Sequence, residues 1–465
     1  MLVVISDLHL NDDSAAPENI HPGAFAIWIK DVIALARQNK ARELIFVYLG
    51  DMVDLLRTEY WFYPAPGVPL GAQGREDFPL AHRPWGMHDI NQHPDQLSEA
   101  CRARALAILE RISIQASEQL AYLRGDTAGI QEELAALGIP IQRLYLPGNH
   151  DRLFWVDAAV RQEILGALGA TIVPGERPWE LALPEYGVLA RHGHEWDPWN
   201  FEAFKKGRRP TDLKAADYKL VPLGDPITTE LLARLPYEVY RALPPPLSDE
   251  IRAHIYEQLR YIEDVQPLHQ ALHWVLIQPN RLADGYDPAT RDAIVATLGT
   301  VAKQVLASFM EIPFVNAWLK AHDKWNIRLD EADKIQDIYR LSKVFDIKNV
   351  SRVLEMAKKL GLTTGDDDAS PAAKELGDPP RARYCVYGHT HQFRHVPLGC
   401  TANGDGLVYL NSGTWRPRLA QTRDERGFVG FKEMTYLVFY RADEDLSSRH
   451  RKGLSYELWN GIMHK

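Results

Sequence analysis

Five short blocks of residues able to bind a metal ion are spaced along this 465-residue chain. They are Asp7-Leu8-His9, Gly50-Asp51 with Asp54, Gly148-Asn149-His150-Asp151, His192-Gly193-His194 and Gly388-His389-Thr390-His391. Carboxylate, imidazole and amide ligands in this mixture suit Mn, Fe or Zn better than Ca, which takes oxygen alone. They suffice for two neighbouring divalent ions, and the chemistry of such a pair is phosphoester hydrolysis. A water between the ions ionises near neutral pH, and the ions take up the charge that develops on the phosphoryl group. Taken singly, each block is ordinary turn chemistry, because Asp and Gly recur where strands end. Asn149 or Asp151 could equally cap a helix. Five such blocks in one chain need a common cause.

That cause lies in what precedes them. Leu2 to Ile5 leads into Asp7, Leu44 to Leu49 into Gly50, and Ile141 to Leu146 into Gly148. Val188 to Ala190 leads into His192, and Tyr384 to Tyr387 into Gly388. Short apolar runs that end in a glycine-containing turn read as buried strands of an α/β sheet. Ligands collect beyond the carboxyl ends of such strands. All five blocks are therefore expected on one rim of one sheet.

In order and internal spacing the blocks resemble the calcineurin-like metallophosphoesterases, whose pattern is D-x-H, G-D-x-x-D, G-N-H-[DE], a later H-G, and G-H-x-H. The resemblance covers about residues 1–200 and 381–420. It implies a four-layer α/β/β/α sandwich and two divalent ions (Mn2+, Fe2+/Fe3+ or Zn2+). Asp7, His9, Asp51 and His391 would hold the first, and Asp51, Asn149, His192 and His389 the second, with Asp51 as the bridge. A metal-bridging hydroxide would be the nucleophile. His150 is implied beside the pair as a catalytic group that bonds the phosphoryl oxygen or protonates the leaving alkoxide, with Asp151 orienting it. Asp54 is expected to fix the turn after Asp51. Asn149, Arg152 and His194 are candidate substrate contacts. For Arg152 a surface salt bridge is the competing reading, and His192 is preferred to His194 as ligand because family members keep the histidine before the glycine.

Composition bounds the rest. Lys+Arg 53 against Asp+Glu 62 gives a net charge of −9, which offers no general attraction to nucleic acid or anionic membrane. No apolar stretch reads as long enough to span a bilayer, and no signal peptide fits before Asp7. Cys101, Cys385 and Cys400 are odd in number and irregularly spaced. They read as reduced packing residues, and a cytoplasmic location is the default.

Residues 1–200 and 381–465 are read as two parts of one core, interrupted by a helical insertion over 201–380. Within the core, Pro22 to Gln38 carries a helical pattern, and Leu97, Cys101, Ala105, Ile108, Ile112, Ala116, Leu120 and Leu123 form one stripe of a helix over Asp95 to Leu123. Tyr60 to Pro94 is an aromatic-rich loop expected to face the substrate, the alternative being that its aromatics pack onto the sheet. Helices are expected over Leu213–Leu220, Thr228–Leu235, Ser248–Ile262, Leu268–Ile277, Asp292–Trp318 and Asp330–Val344. Gly365 to Asp368 and Pro371 to Pro380 read as an exposed linker. Both ends of the insertion must return to the ligand-bearing rim, which suits a cap that selects substrate or docks a protein partner. Trp196, Trp199, Phe201 and Phe204 precede Lys205, Lys206, Arg208 and Arg209, a mixture that could stack a base or hold a diphosphate, or simply be a solvated face. Val408 to Arg416 reads as a strand ending near the site, and Phe431 to Tyr440 as a late strand closing a second sheet.

Leu55 and Leu56 after Asp54, and Pro147 before Gly148, depart from the protein Ser/Thr phosphatase pattern. The Asp-Leu-His-Leu opening and the Gly413-Thr414-Trp415 segment are similar to bacterial nucleoside-diphosphate-lipid pyrophosphatases, although those have Arg at the place of His150. The expectation is a metal-dependent phosphodiesterase or pyrophosphatase. A DNA nuclease of the same superfamily, a phosphomonoesterase and a non-catalytic scaffold are the alternatives.

Overall fold

A computed structural model describes residues 1–17, 19–63, 78–86, 97–204, 212–245, 247–266, 270–322, 369–424, 426–446 and 453–463. The expected helix over Asp330–Val344, Gly365 to Asp368, and Lys205, Lys206, Arg208 and Arg209 lie outside them.

The protein is mixed α/β with two mixed sheets. Its strands are β1 (Leu2–Ile5), β2 (Leu44–Tyr48), β3 (Ile141–Tyr145), β4 (Thr171–Ile172), β5 (Leu181–Leu183), β6 (Val188–Ala190), β7 (Tyr384–Tyr387), β8 (Phe393–Cys400), β9 (Gly406–Ser412), β10 (Pro417–Gln421), β11 (Phe428–Tyr440) and β12 (Ser455–Met463). The first sheet has the order β10-β11-β1-β2-β3-β4, with β12 also paired to β11. The second runs β5-β6-β7-β9-β8. In the first sheet β1 to β4 are parallel, and in the second β6, β7 and β9 are.

Side-chain alternation explains why both faces of the first sheet are apolar. Val3, Ile5, Phe46 and Tyr48 cluster with Phe25, Trp28, Val32, Ile108 and Leu120 from helices Pro22–Gln38, Glu99–Gln115 and Ser117–Arg124. Leu2, Val4, Ile45 and Val47 point the other way and share a cluster with Val188, Ala190, Tyr384, Val386 and Leu410 of the second sheet. The far face of that sheet, with Leu189, Cys385 and Tyr409, packs on Ala372 and Leu376 of helix Ala369–Leu376.

The five ligand blocks thus follow strands of two sheets, not one. The reason is that β4 has only two residues and ends its sheet, after which the chain starts the β5–β6 antiparallel pair. The late strand belongs to the first sheet, where β11 pairs β1, β10 and β12. The helix expected from Asp95 to Leu123 is two helices divided at Ala116 (φ −106°, ψ 25°), yet every residue of its stripe is buried. The linker expected over Pro371 to Pro380 is helical up to Leu376, as part of helix Ala369–Leu376, which buries Ala372, Glu375 and Leu376.

Every helix described between β6 and β7 sits within the stretch from His194 to Leu376. Gly224–Pro226 continues through a π-helical segment, Ile227–Ala233, into Arg234–Ala242. Over Leu213–Leu220 only the turn Asp217–Lys219 is helical. Ser248 caps Asp249–Arg260 as expected, its hydroxyl accepting from the Ile251 amide at 3.3 Å. Asp292–Trp318 is two helices, Pro288–Glu311 and Pro313–His322, because Pro313 pushes Ile312 out of the helical region (ψ 124°). The first of these is long and apolar enough to cross a membrane on length and composition alone. Its Ile294, Leu298, Val301 and Val305 are instead buried against neighbouring helices. Phe309, Phe314 and Trp318 join the cluster beneath the first sheet. The described aromatics of the Tyr60 loop, Tyr60, Trp61, Phe62, Tyr63, Phe78 and Trp85, are buried in that cluster as well, so they pack down and do not line a cleft.

Candidate metal centre

The carboxyl ends of β1, β2, β3, β6 and β7 bring all five blocks together. Among the described residues seven non-glycine positions have positive φ, and five of them are expected ligands: Asp7 (53°), His9 (44°), Asp51 (53°), His389 (69°) and His391 (57°). Each such conformation costs about 1–3 kcal/mol and persists only where the surroundings impose it. Glycines allow the strand ends to meet. A Cβ on Gly148 would lie 2.2 Å from Asp51 Oδ1, and one on Gly388 2.4 Å from Asp7 Oδ2.

Asp7, His9 and His391 offer ligand atoms to one point, and Asp7, Asp51 and His192 to another beside it. His9 Nε2 lies 2.9 Å from His391 Nε2, 3.9 Å from Asp7 Oδ1 and 3.8 Å from Asp51 Oδ2. His192 Nε2 is 3.3 Å from the same Asp51 oxygen and 3.1 Å from Asn149 Oδ1. Asp51 therefore stands between the two groups.

Hydrogen-bond partners set the tautomers. His9 Nδ1 faces the Asp54 carboxylate at 2.7 Å and His192 Nδ1 the Leu49 carbonyl at 2.7 Å, so each Nδ1 carries a hydrogen and each Nε2 points inward. His389 Nε2 faces Asp197 Oδ2 at 3.0 Å, which leaves its Nδ1 lone pair toward Asn149 Oδ1, also 3.0 Å away. Asn149 donates its amide to Asn200 Oδ1 at 3.3 Å, fixing its oxygen toward His192 and His389. Imidazole nitrogens, carboxylate oxygens and an amide oxygen thus converge on one buried point, a donor set that could hold metal ions. Burial holds His9 down to about 3 and His391 well below the usual imidazole range, so both rings are neutral, as ligands must be. Against its burial, the carboxylates of Asp51 and Asp7 push His192 up to about 10. A cation at this point would displace that proton.

His150 lies edge-on to His9, with ring centroids 4.7 Å apart. The carboxylate its ring meets is that of Asp54, 3.0 Å from Nδ1, and not that of Asp151. Asp151 Oδ2 instead accepts the Gly148 and Asp51 amides at 2.7 and 2.9 Å, tying the second block to the third. Asp54 does fix its turn, accepting the Leu56 and Arg57 amides at 2.8 and 3.1 Å, but it also orients two histidines. His9, Asp54 and His150 could also surround an ion. Two ring N–H groups on one carboxylate are already satisfied, however, and need none. Burial lowers His150, but Asp54 and Asp51 outweigh it and raise the ring to about 9, so it carries a proton at neutral pH.

Arg152 is buried and makes a salt bridge that is not at the surface, its Nε donating to Asp225 Oδ2 at 2.6 Å and Nη2 to the Pro84 carbonyl at 3.2 Å, while its Nη1 makes no hydrogen bond. His194 packs among Phe201, Tyr218, His192 and His389, and burial lowers it to about 3. Asp197 and Asn200, which orient His389 and Asn149, carry no sequence signal, since Asp-Pro-Trp-Asn is unremarkable loop composition. No known protein family matches the chain, and no curated protein is significantly similar to it.

Proposed function

We propose that this protein is a phosphoester hydrolase dependent on two divalent ions, acting on phosphodiesters or pyrophosphates. The observation that carries the reading is the convergence of ring nitrogens of His9, His391, His192 and His389 with the oxygens of Asp7, Asp51 and Asn149. The cluster order supports a four-layer α/β/β/α sandwich, with helices outside each sheet and the sheets face to face.

Asp7, His9, Asp51 and His391 would hold one ion, and Asp51, Asn149, His192 and His389 the other. When bound, the ions supply Lewis acidity and lower the pKa of water toward neutrality. The chain's own part is orientation and proton delivery. Asp54 holds His150 by Nδ1, leaving Nε2 as the atom able to give a proton to the departing alkoxide. Asp197 and the Leu49 carbonyl keep His389 and His192 in their ligand tautomers.

The test is hydrolysis of bis-p-nitrophenyl phosphate against p-nitrophenyl phosphate with Mn2+, alongside an Asp51→Ala variant. Faster turnover of the diester, absent in the variant, supports the reading. Metal-independent turnover, or full activity without Asp51, overturns it.

A further inference from the structure

We infer that two adjacent acids of the helical stretch, Glu263 and Asp264, are positioning residues for His9 and therefore part of the metal centre. The inference rests on the metal-centre reading above. Both acids end the turn Tyr261–Asp264 and both are buried. Asp264 Oδ1 accepts from Arg416 Nη2 at 3.2 Å and Nε at 3.4 Å. Arg416 in turn donates from Nη1 to the His9 carbonyl at 3.4 Å and from Nη2 to the Pro17 carbonyl at 3.0 Å. Glu263 Oε2 lies 3.5 Å from Arg57 Nε, which lies 3.1 Å from Asp54 Oδ2. That Asp54 oxygen is the one facing His9 Nδ1.

His9 is thus approached at both ends by one dipeptide about 250 residues away in sequence: its backbone is held through the hydrogen bonds of Arg416 and Asp264, and its ring through Asp54, behind which Arg57 and Glu263 stand at ion-pair distance without a hydrogen bond between them. The grip falls on a residue with φ of 44°, which needs it. The next residues lock the register: Val265 bridges Leu419, and the Gln266 amide donates to the Leu419 carbonyl at 3.1 Å. Buried ion pairs add little net stability over apolar packing. What these groups supply is a fixed geometry for one ligand. A second buried pair joins the same helical stretch to the core, Glu230 with Arg83 at 2.6 Å, and it contacts no residue of the centre.

The test titrates metal-free full-length protein with Mn2+ by calorimetry, comparing wild type, Glu263→Gln/Asp264→Asn and Glu230→Gln. Wild type binding two ions establishes the centre itself. The double variant is then expected to lose about 10- to 100-fold in affinity for one ion and to keep the other. Glu230→Gln should bind both ions as wild type does, although it melts at lower temperature. Unchanged binding by the double variant overturns the inference, as does an equal loss in Glu230→Gln, which would reduce the acids to general stability. A wild type that binds no ion refutes the metal-centre reading instead. Should the double variant fail to fold, Glu263→Gln and Asp264→Asn singly are each expected to weaken the same ion, and no loss in either overturns the inference.

Discussion

Replacing Asp54 by Asn tests the tautomer argument directly. The Leu56 and Arg57 amides donate to Oδ1 at 2.8 and 3.1 Å, so they will hold the single oxygen of the new amide on that side. Its NH2 group then takes the place of Oδ2 and faces His9 Nδ1, 2.7 Å away. Two N–H groups cannot face each other there. His9 relieves the clash by moving its hydrogen to Nε2, which removes the lone pair aimed at His391 and Asp51. Losing an orienting carboxylate behind a metal-bound histidine typically costs 10- to 100-fold in metal affinity, about 1.4–2.7 kcal/mol. The loss should fall on one ion, because Leu49 and Asp197 still fix His192 and His389. Calorimetric titration with Mn2+ measures it, at a temperature where both proteins are folded, since the substitution also leaves buried Arg57 with Glu263 as its one acid. Two ions bound at wild-type affinity, or equal weakening of both, would refute the reasoning.

His150→Ala should keep its metal content while turnover of esters with poor leaving groups falls by about 10²–10⁴; loss of metal would make His150 a ligand. Gly148→Ala should deplete metal without removing any ligand, because its Cβ would lie 2.2 Å from Asp51 Oδ1; elemental analysis showing two ions per chain would contradict that. Glu59 is buried, its carboxyl held by Tyr63 at 3.0 Å and Tyr256 at 2.8 Å, and burial pushes it up from 4.5 to about 8. Between those values the folded protein keeps a proton that the unfolded chain has lost. The stabilisation is therefore full below 4.5 and fades as pH rises through 8, by about 5 kcal/mol at the upper bound. Glu59→Gln removes this slope, so wild type should lose stability relative to the variant between pH 5 and 8.5 in urea unfolding. Parallel curves would falsify the assignment.

What the sequence made legible is what is local in the chain. A strand, its terminal glycine and the ligand beyond it lie within a few residues, so β1 leading to Asp7 and His9, or β3 leading to Asn149, can be read without knowing the fold. Which sheet a strand joins is a matter of pairing. β6 and β7 look like continuations of the first sheet until the two-residue β4 ends it. The same limit separates Asp54 from Asp151. Asp151 is adjacent to His150 in sequence and Asp54 is 96 residues away, so adjacency favours Asp151, but its Oδ2 accepts the Gly148 and Asp51 amides and the ring is left to Asp54. Apolar patterning found the buried stripe from Leu97 to Leu123 because every position in it serves one face.

The helical stretch was harder to read, because a pattern of helices says nothing about what their ends grip. An insertion that only covered a finished site could pack on it through apolar contacts alone. This one sends Trp318 and Phe309 into the main cluster. It also places Asp225 on Arg152, beside His150, and Glu263 and Asp264 on the two arginines that flank His9. Buried acids paired with arginines this close to backbone of positive φ add little net stability over apolar packing, so what they contribute is geometry. On the proposed reading a metal centre assembled from both parts of the chain uses it, because Asp54 orients the ring of His9 from one part while Asp264 reaches its carbonyl through Arg416 from the other.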